Sequence, residues 1–408
     1  MFGEGLMYVL LFFSLYFEVF LLVAYLERRF TRIEPVIMLD GALPRVAVVV
    51  PCFNEENTVQ LTMNSLLKLD YPDALLEIIA VDDGSSDNTW QNLQAYANNP
   101  RVRLFQKENG GKHSAMNFAL EKTNADLIGC LDADSVVEPD ALKRIVPIFL
   151  NEKIAAVTPG IHVRTPETML QHMQNVEYQL SVFNRWIFAA LGSVFITPGP
   201  FSFFRSSVLR ELGGWRYAHS TEDMELALRI QLAGHLIANA PKAVVHTATP
   251  RTLRKLFHQR VRWTYGWLRN AMDYWFMIGN HRYGNLGLIV LPTAIISIFT
   301  GIYFFSRIAF FAIRGLYRMI ERAYYGGLHA PQISFDLFYV NTSAIWFLVW
   351  VSVAMILVLI SIGSFIGTGG RTPPKSTPIF LLFYSFLVPF WLGTAVVRAV
   401  FRTGVKWR

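Results

Sequence analysis

Four apolar stretches, residues 6–26, 286–311, 344–366 and 379–401, constrain this chain more than anything else in it. Each is near the ~20 residues that an α-helix needs to cross a bilayer. Between the first and second lies a long region of different pattern. The 408 residues are 53% hydrophobic and only 16% charged, far from a soluble average. That length accommodates one α/β domain beside the spans. The first stretch is preceded by a single charged side chain, Glu4, and followed by Glu27, Arg28, Arg29 and Arg32. It has no basic n-region and no small-residue cleavage site. It therefore reads as an uncleaved anchor with its N-terminus outside. Pro292 and Pro389 interrupt two spans, which neighbouring helices tolerate. Simple alternation puts the C-terminal tail outside, whereas Arg402, Lys406 and Arg408 argue that it is inside. Arg314, Arg318 and Arg322 raise the same conflict for a loop after the second span. A re-entrant or interfacial segment would resolve both.

The formal charge of +7 does not imply nucleic acid. Many basic residues flank apolar segments, as anionic headgroups and membrane orientation require. Cys52 and Cys130 are far apart without CxxC spacing, so neither a disulfide scaffold nor a zinc site is expected. The nine histidines form no HExxH pattern, which disfavours a zinc hydrolase.

From residue 45 onward, short apolar β-rich runs alternate with helical stretches. Runs at 45–50, 77–81, 102–105 and 127–131 are separated by helices near 58–68, 87–97 and 114–122. This alternation predicts a mostly parallel sheet with helices on both faces. Ligands bind such sheets at the carboxyl ends of the strands. Asp82-Asp83 and Asp132-Ala133-Asp134 fall at two such ends. Residues 171–190 and 253–277 mix apolar, aromatic and basic side chains at helical spacing. Trp186, Trp263, Trp267 and Trp275 favour the membrane interface over a core location. The expected organisation is an anchor and linker over 1–43 and a catalytic α/β domain over 44–250. An interfacial region over 251–284 and a membrane region over 285–408 follow.

Three short motifs could carry chemistry. Asp83, before Gly84 and Ser85, can accept a uracil N–H, although Asp-Gly-Ser alone is turn chemistry. Asp132 and Asp134 could be strand-end caps. Together with Asp83 they read as a nucleotide-sugar site, with Asp134 offering hard oxygen to Mg²⁺ or Mn²⁺ beside a diphosphate. Asn109-Gly110-Gly111-Lys112 is not a Walker A loop. Lys112 either approaches a nucleotide at a helix start or is simply solvated. Asp223 begins a helix and is a candidate base for an acceptor hydroxyl. The alternative is capping, with Ser220 and Asp223 forming a capping box. In Gln259-Arg260-Val261-Arg262-Trp263, helical spacing puts Gln259, Arg262 and Trp263 on one face. Arg262 offers a donor fork to phosphate, and Trp263 a flat face to a sugar ring. A basic helix on lipid headgroups is the alternative. Glu18 and Arg307 lie inside expected spans, where charges usually face protein or water. They could line a polymer path, while snorkelling explains Arg307 equally well.

With Pro51-Cys52-Phe53-Asn54-Glu55, these motifs resemble the processive family 2 glycosyltransferases: cellulose, chitin, hyaluronan and poly-N-acetylglucosamine synthases. The resemblance covers about residues 44–280. Arg262-Trp263-Thr264-Tyr265-Gly266, the proline-interrupted last span and Val405-Lys406-Trp407-Arg408 look most like bacterial poly-β-1,6-N-acetylglucosamine synthases. Two features depart from that group. One span precedes the catalytic region instead of two, and Thr197-Pro198-Gly199-Pro200-Phe201-Ser202 is nearer to hyaluronan and chitin synthases. The resemblance implies a GT-A domain in a transmembrane bundle of the plasma membrane, with its catalytic side in the cytoplasm. It implies inversion with Asp223 as base beside Glu222, and metal at Asp134 and Asp132. Donor contacts would come from Pro51, Asn54, Glu55, Asp83, Lys112, Asp132 and Arg262. Acceptor contacts would come from Gln259, Trp263, Thr221, Gly199 and Pro200. The implied partners are a UDP-sugar, a growing polysaccharide and the bilayer, with auxiliary export subunits left open. Rival readings are a non-processive transferase acting on a lipid phosphate or small acceptor, and a catalytically dead scaffold. The intact carboxylate motifs and the Gln-x-x-Arg-Trp element argue against both.

Overall fold

The computed structural model describes residues 2–30, 43–326, 344–370 and 372–404. Arg32 and the tail Val405-Lys406-Trp407-Arg408 lie outside the described residues. Among the described residues, eight strands form one sheet: β1 (Val46–Cys52), β2 (Leu76–Asp82), β3 (Val102–Gln106), β4 (Leu127–Cys130), β5 (Ser135–Val137), β6 (Ile154–Val163), β7 (Ser202–Arg205) and β8 (Leu236–Thr247). Their order is β3-β2-β1-β4-β7-β6-β8-β5. The β1 run alternates between two cores. Val46, Val48 and Val50 pack with Met63 and Leu66 on one face. Ala47 and Val49 pack with Met116 and Leu120 on the other. Successive side chains of a strand point to opposite faces, so a continuous apolar run marks a sheet covered on both sides.

Among the described residues, four of the seven strand pairings are parallel. The sheet is thus more mixed than simple strand–helix alternation suggests. The cause is β7, which enters antiparallel between β4 and β6. The parallel half, β1 to β4, presents Cys52, Asp82, Gln106 and Cys130 at one edge.

Among the described residues, four helices are long and apolar enough to cross a membrane: Gly5–Arg28, Leu286–Gly326, Ala344–Thr368 and Thr377–Val400. The second differs from expectation. It runs for 41 residues, ~60 Å at 1.5 Å per residue, about twice the hydrocarbon thickness. Arg314, Arg318 and Arg322 therefore ride on a helical extension instead of a loop. Both proline-bearing spans contain a π-helical turn on the N-terminal side of the proline, at Leu286–Val290 and Phe380–Tyr384. At Pro292 the missing N–H removes the bond to the Leu288 carbonyl, inside the first of these turns, which loosens the i→i−4 ladder there.

Two further helices lie between sheet and spans. Met169–Ala190 starts at a capping box, in which Thr168 accepts from the Gln171 N–H at 3.2 Å. It packs on β6, β8 and the Ala344–Thr368 span. Gly363 of that span meets the Gln179 backbone so closely that a Cβ has no room. The helix Leu253–Asp273 packs on the last span, with Tyr265 against Ala395 and Ala399. It stops at Asp273, and Trp275–Met277 forms a separate 3-10 turn.

Candidate active site

The loops at the carboxyl ends of β1, β2 and β4 converge. Asp83 is 3% exposed. Its carboxylate accepts from Lys107 Nζ at 2.6 Å, Gly110 N at 3.1 Å and Gly111 N at 2.7 Å. The Gly110–Gly111 backbone is thereby folded around one carboxylate. Gly111 takes φ +83° to do so, a conformation that glycine adopts without a Cβ penalty. The helix Lys112–Lys122 begins there. Lys112 is not a solvated lysine: its Nζ pairs with Asp132, and its side chain is 15% exposed. Gly199 lies against that pair with no room for a Cβ.

Asp134 follows two residues later and accepts from Ser135 Oγ at 2.9 Å. Burial and the adjacent Asp132 push its pKa up to about 6. Among the described residues no cluster of three or more His, Cys, Asp or Glu side chains could hold a metal. Asp132 and Asp134 together still fit Mg²⁺ or Mn²⁺. Such ions are commonly held by one or two carboxylates, with the other ligands coming from phosphate and water. A cation would also relieve the repulsion that raises the Asp134 pKa.

Asp223 lies in the first turn of the helix Glu222–Leu232, whose N-cap is Thr221. Among the described residues no side chain caps this helix, so the alternative reading of a Ser220–Asp223 capping box does not hold. The Asp223 carboxylate takes a 2.9 Å bond from the Met224 N–H. Burial, then the neighbouring Glu222, raises its pKa to about 7, against the opposing pull of Lys112 and Arg262. The Asp223 carbonyl accepts from Thr197 N at 3.1 Å and Thr197 Oγ1 at 2.8 Å. The Thr197–Ser202 loop is therefore tied to the turn that carries Asp223, while its Gly199 touches Asp132.

His219 and Ser220, just before this turn, have φ +49° and +67°. Left-handed backbone costs a non-glycine residue ~1–3 kcal/mol unless its surroundings enforce it. The Leu253–Asp273 helix supplies that enforcement. Arg262 Nη1 donates to the Ser220 carbonyl at 3.2 Å. Asn270 Nδ2 donates to Thr221 Oγ1 at 2.8 Å. His219 Nε2 and Asp273 Oδ2 are 2.8 Å apart. Residues 262, 266, 270 and 273 share one face by helical spacing. Asn270 and Asp273 were not anticipated from sequence, and that i+4 spacing from Arg262 was the available signal. A second face carries Gln259, Trp263 and Trp267, four residues apart, to a cavity.

The cavity measures about 960 Å³. Among the described residues, its wall includes every anticipated site residue except Asn54. Asn54 Oδ1 accepts from the Ser86 N–H at 2.8 Å, and the Asn54 N–H donates to Ser85 Oγ at 2.9 Å. It stitches the β1 loop to the β2 loop, with φ +55°. Arg262 also borders the cavity, between the two faces of its helix. The same space is lined by Asp83, Lys112, Asp223 and Trp263 and by Ser297, Ile298 and Leu392 of two spans. Glu18 and Arg307 do not border it; the Arg307 guanidinium lies 4.8 Å from the Phe311 ring centre.

The fold is similar to that of the mannosyltransferase PcManGT from Pyrobaculum calidifontis, solved in complex with GDP-Man and Mn²⁺. The TM-score is 0.58 at 19% identity, covering 97% of this chain and 99% of that one. The likeness shows a GT-A-like fold, a mixed α/β sheet flanked by long apolar helices that are consistent with a transmembrane bundle. The chain belongs to the family described as glycosyltransferase like family 2, whose pattern matches residues 44–266. A poly-beta-1,6-N-acetyl-D-glucosamine synthase of Staphylococcus epidermidis is 30% identical over 305 residues, covering 72% of this chain and 73% of the relative. An enzyme of the same name from Staphylococcus aureus is 31% identical over 268 residues, covering 63% and 64%.

Proposed function

We propose that this protein polymerises UDP-N-acetylglucosamine into a β-linked polysaccharide and passes the product outward through its membrane region. One observation carries the reading: a single cavity joins the β-strand carboxyl ends, Asp223, Trp263 and two membrane helices. A product lengthened at Asp223 has a continuous path toward the spans. The names of the staphylococcal relatives support N-acetylglucosamine as the sugar.

In this reading Pro51, Glu55, Asp83, Lys112, Asp132 and Arg262 hold the nucleotide-sugar, and Asn54 keeps the donor loops together. Gln259, Trp263, Thr221, Gly199 and Pro200 surround the acceptor. A divalent cation held by Asp134 and Asp132 would neutralise charge on the diphosphate. Met224 N–H engages one Asp223 oxygen and leaves the other for the acceptor hydroxyl. That hydroxyl gives its proton to Asp223. Its oxygen bonds to the anomeric carbon as the bond to UDP breaks on the opposite face. Lys112 and Arg262 stabilise the departing charge, and Glu222 keeps the Asp223 pKa near the working pH. Residues 1–43 anchor the chain, 44–250 form the catalytic domain, 251–284 the interfacial part and 285–408 the membrane region. The catalytic side faces the cytoplasm of a plasma-membrane protein.

Purified protein in lipid, given each UDP-sugar separately, tests this. UDP-N-acetylglucosamine alone should yield polymer that a β-1,6-specific glycosidase degrades. Digestion by chitinase alone reassigns the linkage to β-1,4. A strict need for UDP-glucuronate or incorporation of UDP-glucose alone reassigns the donor. Transfer of one sugar to a lipid phosphate overturns processivity.

A further inference from the structure

Arg260 stands two residues before Arg262 and has no part in the mechanism above. It is 5% exposed. Its Nη2 meets Glu177 Oε2, on the Met169–Ala190 helix, at 2.6 Å. The same Oε2 accepts from the Tyr384 hydroxyl at 2.7 Å. The Arg260 guanidinium lies 4.3 Å from the centre of the Trp263 ring. This is the i, i+3 neighbour on its own helix, where side chains lie over the preceding turn. A cation against an aromatic face holds the ring electrostatically. Trp263 is 36% exposed, so it retains an open side beside the cavity.

Tyr384 closes the π-helical turn Phe380–Tyr384 of the last span. It is 3% exposed, with its ring 5.7 Å from that of Trp391. A π turn holds one residue more than an α turn. Deleting that residue would swing Tyr384 by ~100° about the helix, the angle per residue of an α-helix. The irregular turn thus aims Tyr384 at Glu177.

We infer that Glu177, Arg260 and Tyr384 are positioning residues that fix the Trp263 ring as an acceptor platform and tie its orientation to the last membrane span. The inference rests on the acceptor role proposed for Trp263 but not on which sugar is polymerised. Arg260 holds the ring, Glu177 holds Arg260, and Tyr384 holds Glu177. Movement of the last span relative to the Met169–Ala190 helix is therefore transmitted to the acceptor.

Removing either charge strands the other inside the protein and endangers folding. Tyr384→Phe removes one hydroxyl and keeps the ion pair. The full chain in lipid nanodiscs is compared with wild type, using the acceptor that wild type extends, whether a sugar oligomer or a lipid phosphate. KM for that acceptor should rise about threefold to tenfold. Hydrolysis of the donor without acceptor should stay within about twofold. In a Trp263→Ala background Tyr384→Phe should add nothing, because coupled residues are not additive. An unchanged acceptor KM overturns the inference, as does equal loss of hydrolysis and transfer, or full additivity with Trp263→Ala. Because a single transfer also reads acceptor KM, failure of the polymerase proposal remains distinguishable.

Discussion

Gly266 and Thr221 approach so closely that a Cβ on residue 266 would overlap the threonine hydroxyl and methyl. The helix face that carries Arg262, Asn270 and Asp273 is therefore cut to fit the turn before Asp223. Gly266→Ala adds one methyl to a contact that cannot hold it. Overpacking of this kind costs ~1–3 kcal/mol and here falls on the placement of Asp223. Turnover should drop about tenfold or more, while UDP affinity by calorimetry stays within about twofold. Wild-type turnover in this variant would sink the idea that the helix shapes the turn.

Asp223→Asn keeps shape but cannot take a proton near neutral pH. Turnover should fall by about 10²-fold or more, the usual scale for a positioned base. In wild type, kcat/KM should rise as pH passes about 7, because the carboxylate forms there. Stability should move the opposite way. The Asp223 pKa is raised from 3.8, so the folded state binds more protons than the unfolded state between that value and about 7. Its stabilising effect is full below the lower value and is lost as pH rises through the upper one. Asp223→Asn should thus melt higher than wild type at pH 8, with the advantage shrinking toward pH 4. A lower melting temperature at pH 8 would restore a capping role.

Asp134→Ala should abolish metal-dependent turnover, and EDTA should silence wild type. Binding provides an independent readout. Mn²⁺ binding in the presence of UDP, followed by electron paramagnetic resonance, should weaken strongly in Asp134→Ala. Full turnover of wild type in EDTA would rule out a required cation.

Trp263→Ala should impair extension of the acceptor at least tenfold more than hydrolysis of the donor. Trp263 borders the cavity on the helix face shared with Gln259 and Trp267. Equal loss of both activities would make the residue structural. The measurement is a paired assay of released UDP and extended acceptor.

The parallel half of the sheet was legible because its signals are local. The Val46–Val50 run, buried on both faces, could only be an interior strand, and Asp83 and Asp132 follow directly from strand ends. The remainder depends on partners distant in sequence. Asn270 meets Thr221 across 49 positions and Tyr384 meets Glu177 across 207. Neither contact leaves a pattern in neighbouring residues. The alternative capping-box reading does not hold because the helix takes Thr221 as its N-cap while Ser220 adopts left-handed backbone, which no propensity announces. Asn54 reads as part of a donor motif, yet its side chain serves the adjacent loop. The length of the second span was missed because arginines after an apolar run resemble a boundary, although arginine is a good helix former.

The left-handed pair His219–Ser220 also bears on how the protein is born. A ribosome finishes residues 44–247, and with them the whole sheet, before it makes Leu253–Asp273. Until that later helix docks, nothing from it restrains the turn before Asp223, and the proposed base remains unaimed. Two of its three fastenings, through Asn270 and Asp273, even fall beyond residue 266, where the family match ends. Nascent chains arrested at increasing lengths should therefore gain UDP binding before turnover. On the proposed function, a half-made enzyme would hold its sugar nucleotide before it can spend it.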